Sequence, residues 1–308
     1  MKRLLFVGLI ALVAHGSQLS PAAGQDKPEL PRFRDVEVER DVQYGDAGNR
    51  PLLLDIYKPA KPKADKLPAL VFIHGGGWSG GNKTAGAGVA PHVGSGNYVG
   101  FSVGYRLSGE AIWPAQIHDC KAAIRWIRAN ADKYGVDADK IGVWGSSAGG
   151  HLVSLLGTSG DVAELEGNNG SPGVSSRVSC VVDYCGPADF PSFEHHAVRL
   201  LFGGSREGQE EEVKQASPIT HVTKDDPPFL VVHGSEDGVV PISQAEKFSA
   251  ALKKAGVDVT FIRIEGGGHG IVGPGLGDRV KNFLAKHLHD QDLEVSGETI
   301  VAPAAPKK

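Results

Sequence analysis

Short apolar runs alternate along the chain with segments whose apolar residues recur at helical spacing. Runs at 69–73, 98–103, 141–144, 178–184 and 229–233 are typical of strands buried on both faces, and a last strand is predicted at 257–264. Helical spacing predicts helices after residue 114 and over 151–156, 243–255 and about 280–288. This alternation predicts one α/β domain built on a doubly wound, mostly parallel sheet.

Two segments depart from this alternation. Residues 36–42 alternate apolar and polar side chains, and residues 51–57 follow after a glycine-containing turn, so the two predict an N-terminal antiparallel hairpin. Residues 186–218 are polar, irregular and rich in Gly and Glu, and we expect a small insertion there that serves as a lid or substrate segment.

Polar segments follow the predicted strands. They are residues 74–78, Ser147, residues 183–189, Asp237 and His269. Because the carboxyl ends of parallel strands lie at the same edge of a sheet, these segments are expected to converge there. The sequence therefore predicts one site built from distant parts of the chain.

The sequence Gly-Ser-Ser-Ala-Gly at 145–149 joins a predicted strand to a predicted helix. In this position the pattern indicates a nucleophile elbow, with Ser147 at its tip and glycines where side chains would collide. The backbone N–H of Ala148, at the start of the helix, would face the atom that Ser147 attacks. Alone, the pattern is equally compatible with an ordinary Gly/Ser-rich turn.

A serine hydroxyl needs a base to take its proton and an acid to orient that base. His269 follows the last strand in a glycine-rich loop, and Asp237 follows the strand before it. We predict that His269 is the base and Asp237 the acid, with Glu236 as the alternative acid. The order Ser147, Asp237, His269 is that of α/β-hydrolases.

The segment His-Gly-Gly-Gly-Trp at 74–78, called the oxyanion loop below, follows the first buried strand. Glycines allow a backbone to approach an oxyanion closely and donate hydrogen bonds to it. We predict Gly76, Gly77 and Ala148 as these donors, with the Trp78 amide in reserve. A structural role that fixes the loop is predicted for His74.

Together these motifs resemble the α/β-hydrolase esterase and lipase superfamily, and in particular bacterial secreted carboxylesterases of the feruloyl-esterase-like and kynurenine-formamidase-like kinds. The motifs that carry the resemblance lie at 74–78, 105–107, 145–149, 234–237 and 268–270. One feature departs from the hormone-sensitive-lipase-like branch, which has a helical cap before the oxyanion loop. This chain has only the hairpin there, so any lid must come from 186–218.

The resemblance implies a serine carboxylic ester hydrolase that forms an acyl-enzyme and acts on short-chain, acetyl or aryl (feruloyl-type) esters. It equally admits an amidase or peptidase with the same triad, and a non-catalytic carbohydrate-binding protein is the third hypothesis. The substrate is expected to be a small or polysaccharide-linked ester. Trp78, Trp113 and Phe193 are the predicted pocket residues.

Composition and charge indicate which partners and cofactors are not expected. The formal net charge is −4 with no basic block, so nucleic acid is not an expected partner. No Cys/His spacing matches a metal site, and the predicted chemistry requires neither metal nor cofactor. The three cysteines are predicted to be small buried residues, with a bridge between Cys180 and Cys185 left open.

The two ends of the chain are expected to lie outside the fold. Residues 1–24 have the charged start, apolar run and small-residue cleavage site of a signal peptide, so we expect a secreted or periplasmic protein without a stable membrane anchor. The catalytic domain is predicted at 25–290. Residues 291–308 are predicted to be a disordered tail.

Overall fold

A twisted sheet organises the part of the chain that the computed structural model describes, residues 35–48, 50–160 and 162–303. Nine strands form it in these residues, in the order β1-β2-β4-β3-β5-β6-β7-β8-β9. The strands are β1 (Val36–Asp46), β2 (Pro51–Pro59), β3 (Leu67–Ile73), β4 (Val99–Val103), β5 (Val136–Ser146), β6 (Cys180–Tyr184), β7 (Phe229–Gly234), β8 (Val259–Glu265) and β9 (Ile300–Val301). The predicted signal peptide lies outside the described residues.

Strand direction agrees with the hydrophobic pattern. The β1 and β2 strands pair as the predicted antiparallel hairpin, β2 joins β4 antiparallel, and all further pairs are parallel. In β7, Phe229 and Val231 pack into one apolar cluster, whereas Leu230 and Val232 pack into another. Both faces of the central strands are therefore buried, as continuous apolar runs predict, and the α/β-hydrolase fold class is confirmed.

Helices cover both faces of the sheet. They are α1 (Ala90–Gly94), α2 (Ala115–Ala129), α3 (Ala131–Tyr134), α4 (Ala148–Thr158), α5 (His196–Leu201), α6 (Glu210–Gln215), α7 (Ser243–Ala255) and α8 (Leu276–Leu288). The buried side chains of α2, α4 and α7 join one apolar cluster, and those of α8 join the other. No helix in the described ranges is long and apolar enough to cross a membrane.

The segment from residue 291 to 303 is ordered where its composition predicts disorder. Residues up to 303 are described, and β9 pairs in parallel with the end of β8. Ile300 is 4% exposed and packs into the apolar cluster beneath α8, while Arg279 of that helix donates to the carbonyls of Ser296 and Glu298. The prediction of a disordered tail is therefore wrong for 291–303, because one buried isoleucine and an arginine from the preceding helix are enough to hold a polar segment.

Two other features bear on the predicted site. Residues 186–218 are not irregular throughout, since they contain α5, α6 and short 3₁₀ turns that pack against the domain. Cys120, Cys180 and Cys185 are buried and free, so the bridge left open between Cys180 and Cys185 is absent.

Candidate active site

Ser147 occupies a sharp, strained turn between β5 and α4. Its φ of 58° and ψ of −121° lie where an L-residue is disfavoured, and such strain persists only where surrounding contacts fix it. Here the Ser147 amide donates to the carbonyl of Tyr184 at 2.8 Å. The flanking glycines are required by contact, because a Cβ on Gly149 would lie 2.1 Å from the carbonyl oxygen of Ile73.

His269 and Asp237 meet Ser147 from the ends of two neighbouring strands. The Nε2 atom of His269 lies 2.9 Å from Ser147 Oγ, and its Nδ1 lies 2.8 Å from Asp237 Oδ2. The loops after β7 and β8 touch directly, since the Glu236 amide donates to the Gly267 carbonyl at 2.8 Å. The structure thus brings the three predicted residues together. Glu236, the alternative acid, is exposed, and it is Asp237 that bonds to the ring.

The Asp237 carboxylate is held by several donors. The amides of Val239 and Val240 donate to Oδ1 at 2.8 and 2.9 Å. Oδ2 accepts a hydrogen bond from His269 Nδ1 and lies 3.2 Å from His233 Nε2. Burial alone would raise the pKa of Asp237, but the hydrogen bonds from His233, His269 and the two amides outweigh it and hold the pKa well below its ordinary value. Asp237 is therefore a stable anion beside the imidazole.

His233 is a site residue that the sequence analysis missed. It is fully buried at the end of β7, and its Nε2 lies 2.8 Å from the Val240 carbonyl as well as near Asp237. Because a carbonyl only accepts, the proton is on Nε2, and Nδ1 has no partner among the described residues. A histidine four positions before the predicted acid was the signal that could have found it.

The oxyanion loop packs against the elbow. A Cβ on Gly75 would lie 2.7 Å from the Ser146 carbonyl oxygen, and Gly76 and Gly77 have φ values of 111° and 59°. Within the described ranges, the amides of Gly76, Gly77 and Ala148 donate to no other residue. They remain available beside Ser147.

His74 fixes the start of this loop. It is 1% exposed, its Nδ1 donates to the Gly75 carbonyl at 2.8 Å, and its ring stacks on Tyr105 with centroids 4.3 Å apart. Burial lowers the pKa of His74, although the hydrogen bond to the Gly75 carbonyl acts in the opposite direction. The lowered pKa keeps the ring neutral.

A cavity of about 420 Å³ opens above Ser147. Its lining is mostly apolar and comprises Gly75, Gly76, Gly77, Trp78, Ser146, Ser147, Pro187, Phe193, His195, Ala197, Val239, Val240 and His269. Four of these belong to the 186–218 insertion, which therefore forms one wall. Ala197 packs against the oxyanion loop, since a Cβ on Gly77 would lie 3.0 Å from the Ala197 Cβ.

Of the three predicted pocket residues, two line the cavity and one does not. Trp78 and Phe193 line the cavity, but Trp113 does not. Trp113 is 6% exposed, its indole N–H points to Gln215 Oε1 at 3.4 Å, and its ring packs against Phe202. The prediction for Trp113 is wrong because the insertion folds over this residue and makes it part of the core.

The described residues contain one group with metal-ligand chemistry, formed by Cys185, Asp237 and His269, whose ligand atoms lie within 4.8 Å of one another. Burial raises the pKa of the Cys185 thiol to about 12. The thiol is therefore protonated and a poor ligand, while the other two groups are hydrogen-bonded to each other.

Comparison with known proteins agrees with this architecture. The chain matches the BD-FAE family over residues 54–252 and the TAP-like protein family over 207–299. Esterase LipC of Mycobacterium tuberculosis is 34% identical over 78% of this chain and 61% of its own, so the chain spans about three-fifths of that curated relative.

Two solved structures extend the likeness. A truncated carbohydrate esterase from gut microbiota superposes with a TM-score of 0.73 at 33% identity, over 82% of this chain and 96% of its own. Thermogutta terrifontis esterase 2, phosphonylated by sarin, superposes with a TM-score of 0.69 at 28% identity, over 86% and 99% of the two chains. The chain belongs to the BD-FAE family, within the α/β-hydrolase esterase and lipase superfamily.

Proposed function

We propose that the protein is a serine carboxylesterase that works through an acyl-enzyme. The observation that carries this proposal is the hydrogen-bonded chain from Asp237 through His269 to Ser147, whose hydroxyl lies at an apolar cavity beside amides that pair with no described residue. LipC and the two solved structures are named esterases, which supports ester hydrolysis.

We propose a role for each group. Ser147 Oγ attacks the ester carbonyl carbon while His269 Nε2 takes its proton, and Asp237 stabilises the imidazolium that forms. The amides of Gly76, Gly77 and Ala148 hold the oxyanion. As the tetrahedral intermediate collapses, His269 gives the proton to the leaving alcohol, and water then repeats the sequence on the acyl-enzyme.

Proton transfer also orients the substrate. The leaving oxygen must reach His269 Nε2, so the alcohol faces the side of the cavity that carries Val239 and Val240. We propose that the acyl group then lies against the insertion, where Phe193 and Ala197 line the cavity and Ala197 leaves limited room next to Gly77. We therefore propose short-chain, acetyl or aryl esters as substrates, either small or attached to a polysaccharide.

An organophosphonate tests the nucleophile directly. Labelling followed by peptide mass analysis should place the adduct on Ser147, and Ser147→Ala should lose both labelling and turnover of p-nitrophenyl acetate. Ser146→Ala is the matched control and should still be labelled. Undiminished turnover by Ser147→Ala would refute the proposal.

The leaving group is tested by a matched pair of substrates. Acetate esters and anilides of one aromatic group differ only in the bond that is cleaved. We expect the ester to be the better substrate, and a higher kcat/KM for the anilide would favour an amidase instead.

We also propose that the protein is exported after removal of residues 1–24. The mass of the protein recovered outside the cytoplasm should correspond to a chain that begins at Gln25. Recovery of the full-length chain in the cytoplasm alone would refute export.

A further inference from the structure

His151 is a buried histidine that the proposed mechanism does not use. It lies on α4 one turn after the nucleophile, with its amide donating to the Ser147 carbonyl at 3.0 Å, and its side chain is fully buried. The partners of the ring fix the position of its proton: the Trp78 indole N–H donates to Nδ1 at 3.1 Å, and Nε2 lies 2.7 Å from the Ala216 carbonyl. Because an indole only donates and a carbonyl only accepts, the ring is neutral and carries its proton on Nε2.

These two bonds join three parts of the site. Trp78 belongs to the oxyanion loop, His151 to the helix that follows the nucleophile, and Ala216 to the 186–218 insertion. Phe190, also in the insertion, stacks on the His151 ring with centroids 4.7 Å apart. Burial lowers the pKa of His151 to about 4 despite the Ala216 carbonyl, so this arrangement is stable at neutral pH.

The oxyanion loop needs such an anchor. Trp78 has a φ of 56°, and Gly77 has a φ of 59°, both in the left-handed region. A bulky residue is strained there and keeps that conformation only when its surroundings fix it. The indole N–H of Trp78 is bonded to His151, and its carbonyl accepts from the Ser108 amide at 2.8 Å.

We propose that His151 is a positioning residue for ester hydrolysis, which holds the Trp78 end of the oxyanion loop in register with Ser147 and links both to the insertion. The inference rests on the proposed esterase function. It assigns the two ring nitrogens different tasks: Nδ1 positions the oxyanion donors, and Nε2 positions the wall of the substrate cavity.

Asparagine and glutamine separate these tasks. In His151→Asn the side-chain oxygen can occupy the place of Nδ1 and accept from Trp78, but it cannot reach Ala216. In His151→Gln the amide nitrogen can reach Ala216, but the contact with Trp78 is lost. Trp78→Phe removes the indole N–H that donates to Nδ1 and leaves His151 in place. The control is His118→Gln, which alters a ring contact to the Glu164 carbonyl at 3.0 Å on another helix.

The readout is kcat and KM for p-nitrophenyl acetate, with active enzyme counted by organophosphonate titration. His151→Gln and Trp78→Phe should lower kcat by about 10- to 100-fold with little change in KM, because a displacement of about 1 Å in a catalytic group has effects of this size. His151→Asn should keep kcat near that of the wild type and raise KM. The control should change neither constant, and a loss of folded protein alone would lower the titrated amount but not kcat.

Wild-type kcat in both Trp78→Phe and His151→Gln would overturn the inference, as would an equal loss of kcat in His151→Asn and His151→Gln. If His151→Gln does not fold, Trp78→Phe decides on its own. Ser147→Ala distinguishes the two levels: an inactive Ser147→Ala with unaffected His151 and Trp78 variants refutes the positioning role alone, whereas an active Ser147→Ala refutes the esterase function.

Discussion

Strain at Ser147 predicts that a glycine there stabilises the protein more than an alanine. Ser147→Ala and Ser147→Gly both remove Oγ, so each loses the hydrogen bond to His269 and that loss cancels between them. They differ in the backbone, because alanine keeps the disfavoured φ of 58° and glycine relieves it. Such strain is about 1–3 kcal/mol, and the greater freedom of glycine in the unfolded chain offsets about 0.5–1 kcal/mol of that.

Ser147→Gly should therefore exceed Ser147→Ala in free energy of unfolding by about 0.5–2 kcal/mol. Urea unfolding of the two inactive variants measures this difference as a shift in midpoint at equal slope. The neighbouring Ser146 is the internal control, since it lies at the end of β5 and is not among the residues with positive φ. There, the glycine variant should be the less stable one. If Ser147→Ala is as stable as Ser147→Gly, the elbow is not strained and the reasoning fails.

Three further predictions follow from the site. Asp237→Asn should lower kcat by about 10⁴-fold with the fold intact, because an amide favours the wrong tautomer of His269; a loss below tenfold would contradict a role for Asp237 in orienting the base. Burial raises the pKa of Asp183 to about 6, above its unfolded value of about 4, so this carboxyl group contributes stability at low pH that is lost as pH rises from about 4 to about 6. The free energy of unfolding of the wild type relative to that of Asp183→Asn, from urea titrations at each pH, should therefore fall over this range; pH profiles of identical shape would contradict it. Ala197→Leu should lower kcat/KM for butyrate esters more than for acetate esters of the same alcohol, and an equal loss would mean that the acyl group does not face this wall.

The sequence was sufficient to predict the residues whose position depends on topology. Ser147, Asp237 and His269 each follow a buried strand, and parallel strands bring their carboxyl ends to one edge whatever the details of packing. The same rule brought the glycines of the oxyanion loop next to the elbow. Here the order of motifs and the direction of strands carried enough information.

Residues whose position depends on tertiary packing were not predictable in the same way. Trp113 was expected in the pocket, but its burial depends on how the insertion folds over it. His233 contacts the Val240 carbonyl across a turn, and His151 contacts the indole of Trp78, which is distant in sequence. Neither contact can be read from the hydrophobic pattern of the sequence. The strand β9 is only two residues long, Ile300 and Val301, which is too short to predict a strand by periodicity.

The edge strand β9 has a consequence for how the protein is handled by proteases. It pairs with Ile264 and Glu265, a few residues before His269, and a Cβ on Gly273 would lie 2.7 Å from the Ile300 side chain, so the tail contacts both sides of the loop that carries the base. Carboxypeptidase trimming past Ile300 would uncover the edge of β8 and loosen this loop. Resistance of the site to proteolysis would then depend on the survival of a short segment that has no chemical role.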